Sequence, residues 1–405
     1  MKTAFDVLNE RGFIEQTTHI EEVKELLAKE KVTFYVGFDP TADSLTVGHF
    51  IPVMAMAHMQ RAGHRPIAIV GGGTGMVGDP SHRNELRRVM TPDEIQHNVD
   101  SQRKQLEKFI DFEDEKALMV NNADWLLKLE YVSFLREYGT HFSVNRMLTA
   151  ECYKSRMEKG LSFFEFNYMI MQAYDFLELY RRYNCKIQMG GNDQWSNIIA
   201  GSELIRRVDN GSAYGMTFKL LTKSDGQKMG KSEKGAVWLD PNKTPPYEFF
   251  QYWRNVADDD VEKCLKLLTF LPIEEISELC KEGGSTLNKA KEVLAYELTK
   301  IVHNSEDADK ALAAAKSLFS GDKSGDSVPI IKVDFKENVN IIELLVAAKI
   351  VPSKSEGRRL IEQGGLRINE NKIDDINTEI VQADFVNGFL MIQKGKKHFY
   401  KLECS

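Results

Sequence analysis

Apolar and polar residues along the first half of the chain predict short buried strands separated by helices. Residues 19–30 repeat apolar positions at helical spacing, residues 32–38 form a β-rich run, residues 49–61 form an apolar helix and residues 66–70 a second strand. Strand, helix and strand in succession predict a right-handed crossover in a parallel sheet. We therefore expect an α/β fold with a doubly wound, Rossmann-like parallel sheet.

The same pattern continues further along the chain. It predicts a helix at 91–109, a strand at 117–120, a buried helix at 161–183, a strand at 186–189 and a helix at 194–207. Several strands run into polar or glycine-rich loops, at residues 39–48, 71–79 and 190–193. Loops of this kind at strand ends are how a doubly wound sheet builds a nucleotide crevice.

Beyond residue 245 the composition predicts further domains. Residues 246–319 are helical in periodicity, residues 320–329 contain mainly turn formers, and two short helices and a strand follow. We predict a catalytic domain at 1–222, a lysine loop with a helical domain at 223–320, a linker at 321–338 and a small α+β domain at 339–405.

Composition and charge narrow the class of protein. The 405 residues are 42% hydrophobic and 28% charged, as in a soluble globular chain, and the net charge of -7 neither supports nor excludes RNA binding. Five scattered cysteines predict reduced thiols and no structural zinc. The N-terminus lacks a signal-like apolar run and no segment is apolar enough to span a membrane, so we expect a cytosolic protein.

Two motifs indicate a triphosphate site. Thr46-Val47-Gly48-His49 follows a predicted strand and opens a helix, whose amide groups attract an anion. Lys228-Met229-Gly230-Lys231-Ser232 forms a cationic loop after another strand. Either motif alone is also compatible with an ordinary loop, but both together, each at a strand end, favour phosphate chemistry.

A polar stripe interrupts the apolar helix at 161–183. Tyr168, Gln172 and Asp175 are spaced four and three residues apart, which places them on one helical face. Buried polar groups without partners cost about 1–3 kcal/mol each. The stripe therefore requires either an internal hydrogen-bond network or a polar ligand.

These motifs resemble those of class I aminoacyl-tRNA synthetases. Residues 46–49 resemble the H-I-G-H signature and residues 228–232 resemble K-M-S-K-S, with Thr46 in place of the first histidine and Gly230 in place of the central serine. The resemblance implies ATP and Mg²⁺ as partners of the reaction. It also implies phosphate-stabilising roles for the following catalytic candidates: His49, Lys228, Lys231, Thr41 and Arg83. The implied ATP-binding residues are Gly37, Asp39, Gly48, His49, Gly191, Asp193 and Lys231.

The polar stripe is similar to the tyrosine site of tyrosyl-tRNA synthetases. By that resemblance, Tyr35 and Asp175 bind the phenol hydroxyl of the substrate, and Tyr168, Gln172 and Asp79 hold its ammonium group. Gln188 and Gln194 are implied neighbours of the substrate and of the adenylate.

The C-terminal segment has its own resemblance. Residues 353–369 resemble the RNA-binding fold named after a small-subunit ribosomal protein, which closes many bacterial tyrosyl-tRNA synthetases and is lacking in tryptophanyl enzymes. From residue 338 onward, 10 Lys and Arg stand against 9 Asp and Glu, about +1, while the remainder carries about -8. Lys354, Arg358 and Arg359 are candidates for RNA phosphates, although a solvated helix face would carry the same charges.

The resemblance as a whole implies L-tyrosine, ATP and tRNA(Tyr) as substrates and a homodimer as the assembly. Two alternatives stay open at this stage. One is another enzyme on this fold, such as a tryptophanyl-type synthetase or a small-acid adenylyltransferase, and the other is an RNA-binding scaffold with degraded catalysis.

Overall fold

The computed structural model divides the chain into two compact units, Met1–Ala308 and Asp309–Ser405. The structure describes residues 2–79, 90–158, 160–232, 235–281, 285–320, 330–333, 335, 338–386, 388–395 and 398–404. Arg83, one of the predicted catalytic residues, lies outside the described residues. The finer domain boundaries that we predicted from the sequence stay predictions.

The first unit is built on a six-stranded sheet in the order β1-β6-β5-β2-β3-β4. Its strands are β1 (Ile14–Thr17), β2 (Thr33–Phe38), β3 (Arg65–Val70), β4 (Leu118–Asn121), β5 (Cys185–Gly191) and β6 (Tyr214–Phe218). β2 to β6 are mutually parallel, and β1 adds an antiparallel edge beside β6. The predicted doubly wound sheet is confirmed, and the antiparallel edge strand is an addition that the pattern did not predict.

Helices surround this sheet and continue beyond it. They are α1 (Ala4–Arg11), α2 (Ile20–Lys29), α3 (Phe50–Arg61), α4 (Thr74–Val77), α5 (Pro92–Leu106), α6 (Ala123–Leu126), α7 (Tyr131–Glu137), α8 (Val144–Leu148), α9 (Glu151–Met157), α10 (Phe163–Phe166), α11 (Tyr168–Tyr183), α12 (Trp195–Val208), α13 (Pro246–Arg254), α14 (Asp258–Leu268), α15 (Ile273–Cys280), α16 (Ser285–Val302) and α17 (Ser305–Ser320). A short hairpin of β7 (Lys231–Ser232) and β8 (Gly235–Ala236) follows the sheet. The helix predicted at 161–183 is two helices, α10 and α11, which are separated at Asn167. Ser162 caps the first of them by accepting from the amide of Glu165.

The strand order places a crevice between β2 and β5. From β2 the chain builds outward through β3 and β4, then returns to place β5 and β6 on the other side. Ligands bind at such a reversal, outside the carboxyl ends of the two central strands. The loops after β2 and β5 therefore meet where a nucleotide site is expected.

The face of the sheet beneath α11 and α12 is packed with large side chains. Tyr35 and Ile67 of the strands contact a buried cluster that includes Phe176, Trp125 and Ile205. Dense packing fixes the positions of the polar groups that are embedded in it. Tyr35 belongs to this packed layer, and Asp175 lies on α11 between its members Tyr174 and Phe176.

The second unit is a small α+β body. It includes most of α17, from residue 309 onward. Its further helices and strands are β9 (Ile330–Val333), β10 (Val339–Asn340), α18 (Ile341–Ala347), α19 (Lys354–Glu362), β11 (Leu366–Ile368), β12 (Asn371–Lys372), β13 (Glu379–Ile380), β14 (Phe389–Lys394) and β15 (His398–Cys404). A five-stranded sheet in the order β12-β11-β14-β15-β9 shares a core with both helices. β9 lies within the segment 321–338 that we predicted to be a linker, and it pairs in parallel with β15.

In the described part of the chain, no helix is long and apolar enough to cross a membrane. The five cysteines are free thiols.

Candidate active site

Tyr35 of β2 and Asp175 of α11 are both almost completely buried. Tyr35 is 2% exposed, packs edge-on against Phe176 with ring centroids 5.2 Å apart, and its hydroxyl has no hydrogen-bond partner among the described residues. Burial and then the negative charge of Asp175 raise the pKa of Tyr35 well above its ordinary value. Asp175 is therefore close enough to act electrostatically on the Tyr35 hydroxyl, and their joint role in binding a phenol stays a prediction.

The Asp175 carboxylate is held by two nitrogen donors. Asn122 Nδ2 donates to Oδ2 at 2.8 Å and Trp125 Nε1 donates to Oδ1 at 2.7 Å. Burial raises the pKa of Asp175 to about 7, although both hydrogen bonds act in the opposite direction. Both donors were absent from our sequence prediction. The only hint was polar residues directly after the strand at 117–120.

Asn122 also fixes the glycine loop that follows β3. Its Oδ1 accepts from the amide of Gly73 at 2.8 Å, and its Nδ2 donates to Thr74 Oγ1 at 2.9 Å. A Cβ on Gly72 would lie 2.2 Å from Asn121 Oδ1, so any larger residue there would have to displace the Asn121 side chain. One buried amide therefore links the loop to the carboxylate of Asp175.

Asp79 and Gln172 lie at two ends of a hydrogen-bond network. Gln194 Nε2 donates to Asp79 Oδ2 at 2.7 Å, and Gln194 Oε1 accepts from Gln172 at 3.2 Å. Asn197, which is 2% exposed, donates to both glutamine side chains. The polar stripe was expected to have either an internal hydrogen-bond network or a polar ligand, and for Gln172 an internal network is present. Asn197 belongs to this network, although nothing in the sequence pattern singled it out.

Gln188 is a second buried group with unused hydrogen-bonding capacity. It is paired in register with Tyr35 on the neighbouring strand, is 2% exposed, and its Oε1 accepts no hydrogen bond from the residues described. Tyr168, also predicted, is buried on α11. Leaving two polar atoms buried and unsatisfied costs about 1–3 kcal/mol each, which points to a polar ligand.

Thr46 and His49 contact each other at the start of α3. Residues Val47–His49 form a single 3₁₀ turn, and His49 Nδ1 accepts from the amide of Thr46 at 3.0 Å, with Thr46 Oγ1 3.1 Å away. Because Nδ1 is an acceptor, Nε2 carries the proton of the neutral ring. Thr46 therefore orients the His49 ring. The N–H group at Nε2 is then available to donate to a phosphate.

The lysine loop has buried central residues and exposed cations. Lys228 and Lys231 are exposed, whereas Met229 and Gly230 between them are buried. The amide of Gly230 donates to the hydroxyl of Tyr252 at 2.7 Å, which anchors the loop to α13. The centre of the loop is fixed while both ammonium groups face solvent.

Gly230 is required by the geometry at this point. Its φ is +92°, and a Cβ there would lie 3.1 Å from Val47 Cβ and 3.3 Å from the amide nitrogen of Gly48. An L-residue would be strained in this conformation and crowded against the opposite loop. The glycine in place of the family's serine thus permits the two motifs to approach closely.

The T-V-G-H segment is also hydrogen-bonded to residues 237–239, which follow the lysine loop, and the amide of Val237 donates to the carbonyl of Gly230 at 2.8 Å. The amide of Val47 donates to the carbonyl of Val237 at 3.0 Å, and the amide of Leu239 donates to the carbonyl of Leu45 at 2.9 Å. Thr46 and Trp238 form an antiparallel bridge between these bonds. Residues 45–47 and 237–239 therefore form a short two-stranded ladder that joins the motifs.

The remaining predicted nucleotide residues lie at the same edge of the sheet. Gly37 lies near the end of β2 and Asp39 directly follows it, whereas Gly191 ends the adjacent parallel strand β5 and Asp193 lies in the turn after it. A Cβ on Gly191 would lie 2.4 Å from Asp193 Oδ1, so a larger residue there would displace the Asp193 carboxylate. Gly48 and Thr41 are exposed beside them.

The sheet is doubly wound, and the T-V-G-H loop and the lysine loop are both present. This combination defines the catalytic fold of a class I aminoacyl-tRNA synthetase. Comparison with known proteins agrees: residues 27–320 match the family described as tRNA synthetases class I (W and Y), and residues 322–402 match the tyrosine–tRNA ligase SYY-like C-terminal domain. The chain belongs to the tyrosine–tRNA ligase family.

Individual relatives support this assignment over the full length. The chain is 60% identical over 403 residues to the tyrosine–tRNA ligase of Clostridium kluyveri and 59% identical over 405 residues to that of Clostridium botulinum strain Hall, with 99% of each chain covered. Among solved structures, a C-terminally truncated mitochondrial tyrosyl-tRNA synthetase of Aspergillus nidulans superposes with a TM-score of 0.71 at 30% identity, covering 79% of this chain and 95% of the other.

Proposed function

We propose that this chain activates L-tyrosine with ATP and transfers it to the 3′-terminal adenosine of tRNA(Tyr). The observation that carries the proposal is the buried hydroxyl of Tyr35, which has no hydrogen-bond partner among the described residues and lies within electrostatic reach of Asp175. A phenol hydroxyl entering this space can donate to the carboxylate and exchange a hydrogen bond with Tyr35. The same pocket would leave Tyr35 unsatisfied if phenylalanine entered, so it favours tyrosine.

The ammonium group of the substrate would bind at the opposite end of the pocket. Asp79 supplies the negative charge there, and Gln172, Gln194 and Tyr168 surround it with neutral polar groups. A cation gains most from a charged acceptor supported by hydrogen bonds. Binding both ends of tyrosine fixes its carboxylate for reaction.

In the first step, a carboxylate oxygen of tyrosine forms a bond to the α-phosphorus of ATP and the bond to the bridging oxygen breaks, releasing pyrophosphate. His49 and the two lysines of the 228–232 loop would stabilise the phosphate charge, as would Thr41 and Arg83 by resemblance. The ladder between residues 45–47 and 237–239 supports this proposal because it keeps both motifs at one place.

Mg²⁺ would enter with the nucleotide. No group of three or more His, Cys, Asp or Glu side chains that could hold a metal ion occurs in the described part of the chain. Mg²⁺ is commonly held by substrate phosphates and only one or two carboxylates, and the polar groups at this site fit that mode. When bound, the ion would neutralise charge on the leaving pyrophosphate.

In the second step, a ribose hydroxyl of the terminal tRNA adenosine attacks the adenylate carbonyl and AMP leaves. The C-terminal unit would hold the tRNA through exposed basic groups at the start of α19, where Arg358 and Arg359 are solvent-facing and Lys354 pairs with Glu343 at 2.6 Å. Neutralising phosphates with such groups gives salt-dependent RNA affinity.

We also propose that the protein acts as a homodimer in the cytosol. Large apolar side chains that a monomer would normally bury are exposed between residues 127 and 164: Leu127, Tyr131, Val132, Val144, Met157, Phe163 and Phe164. Sedimentation of wild type and Phe164→Asp tests this directly. We expect a dimer that the charge dissociates, whereas a monomeric wild type would contradict the assembly.

Amino-acid-dependent pyrophosphate exchange tests the reaction. Wild type, Asp175→Ala and the matched exposed control Asp124→Ala are compared with tyrosine, phenylalanine and tryptophan. We expect exchange with tyrosine alone, lost in Asp175→Ala and kept in the control. Exchange with tryptophan would indicate a tryptophanyl-type enzyme, and no adenylate with any amino acid would indicate a scaffold without catalysis.

A further inference from the structure

α5 presents a row of buried amide side chains to the loop that precedes the T-V-G-H motif. Asn98, Gln102 and Gln105 are spaced four and three residues apart on one helical face and are between 2% and 9% exposed. Their amide groups hydrogen-bond to the segment 39–45, which contains no regular structure of its own to satisfy its backbone. This row supplies those partners.

Two members hold the first half of the loop by its carbonyl groups. Asn98 Nδ2 donates to the carbonyl of Pro40 at 2.8 Å. Gln102 Nε2 donates to the carbonyls of Asp39 at 3.3 Å and Ala42 at 3.1 Å. Three carbonyls of one loop are therefore fixed to the helix beneath it.

Gln105 holds the residues immediately before the motif. Its Oε1 accepts from the amide of Leu45 at 2.8 Å, and its Nε2 donates to Ser44 Oγ at 3.0 Å. Leu45 directly precedes Thr46, whose amide orients His49. A shift of Gln105 would thus move the backbone that carries the histidine.

Ser44 extends this contact to the segment that follows the lysine loop. Its Oγ accepts from the amide of Asp240 at 3.2 Å and donates to the carbonyl of Leu45 at 2.9 Å. Leu239, next to Asp240, belongs to the ladder that joins the two motifs. Gln105 and Ser44 together form a junction at which helix α5, the T-V-G-H segment and the lysine-loop segment meet.

We propose that Gln105 is a positioning residue for adenylate formation, which keeps the His49 segment and the lysine-loop segment in one relative geometry. The inference rests on the proposed function. Its hydrogen bonds go to the phosphate-side loop and to Ser44, and none goes to Tyr35, Asp175 or the network of Gln172. Removing the hydrogen bonds of Gln105 should therefore slow adenylate formation and leave the affinity for tyrosine unchanged.

The test compares Gln105→Met with Gln96→Met, an exposed glutamine of the same helix. Methionine has a similar length and fills the site but makes neither hydrogen bond, so the amide of Leu45 loses its buried acceptor. We expect adenylate formation in single turnovers to slow by about tenfold to a hundredfold, as for one or two lost buried partners. The dissociation constant for tyrosine should stay within about twofold, and Gln96→Met should match wild type.

A transfer measurement separates positioning from a general loss of structure. Enzyme–adenylate complex isolated after slow activation is mixed with tRNA, and we expect Gln105→Met to transfer tyrosine at the wild-type rate. Ser44→Ala, a smaller change, should slow activation in the same selective way, and the double variant should be less than additive because both act at one junction.

Two results would overturn the inference. One is an unchanged activation rate in Gln105→Met, and the other is an equal loss of tyrosine affinity, activation and transfer, which would mean a general structural role. If wild type itself gives no tyrosine-dependent exchange, the proposed function fails first, so the two failures are distinguishable.

Discussion

Replacing Tyr35 by Phe should stabilise the free enzyme while it weakens recognition of tyrosine. The change removes one oxygen and keeps the ring that packs against Phe176. That oxygen has no hydrogen-bond partner among the residues described and is almost fully buried. The ligand-free protein therefore contains a buried hydroxyl without a hydrogen bond, which we expect to be satisfied when tyrosine binds.

The two effects can be estimated separately. An unsatisfied buried hydroxyl costs about 1–3 kcal/mol, so the variant should gain stability of that order without ligand. With tyrosine bound, the lost hydrogen bond is worth about 0.5–1.5 kcal/mol, which corresponds to a fall of about two- to tenfold in kcat/KM. Phenylalanine never satisfied the hydroxyl, so its kcat/KM should stay the same or rise slightly.

Two assays measure these opposite changes. Thermal unfolding of ligand-free wild type and Tyr35→Phe should show a higher midpoint for the variant, and pyrophosphate exchange with both amino acids should show reduced discrimination. The reasoning is refuted if the free variant is less stable, or if kcat/KM falls by the same factor for tyrosine and phenylalanine.

Three further changes test other parts of the site. Folded Asp175 keeps its proton up to about pH 7, whereas an aspartate in the unfolded chain loses it at about pH 4, so the free energy of unfolding of the free enzyme should fall by about 4 kcal/mol as the pH rises between these values. Asp175→Asn should abolish this pH dependence when unfolding is measured across the same range. Gly230→Ala, with its Cβ 3.1 Å from Val47, should slow activation about tenfold at unchanged tyrosine affinity by stopped flow. Asn122→Ala, which removes a donor to Asp175, should weaken tyrosine binding about tenfold in calorimetry.

Sequence patterns predicted the elements of this fold well because local periodicity decides them. The strand at 66–70 and the helix at 194–207 differ from β3 and α12 by one residue at their ends. Spacing along one helix also predicted that Gln172 and Asp175 share a face. Both depend on separations of a few residues, which a single sequence records directly.

Partners that come from separate elements could not be predicted in this way. Asn122 and Trp125 reach Asp175 from the end of β4, about fifty residues earlier in the chain. Gln105 lies on an ordinary amphipathic helix, and nothing in its spacing reveals that a loop sixty residues away needs its amide. Such contacts follow from strand order and crossover geometry, which fix three-dimensional neighbours only after the whole sheet is assembled.

The site divides its polar groups into two kinds, and the division explains how it can be both rigid and selective. Around the phosphate side, the amides of α5 and the ladder at 45–47 satisfy the backbone, so the reacting geometry is set before ATP arrives. In the proposed tyrosine pocket, the hydroxyl of Tyr35 and Oε1 of Gln188 have no hydrogen-bond partner among the described residues, and Asp175 carries a buried carboxyl. Because the cost of these unsatisfied groups is already present in the free protein, we expect a ligand that supplies a hydroxyl beside Tyr35 to recover part of it, whereas phenylalanine recovers none of it at Tyr35.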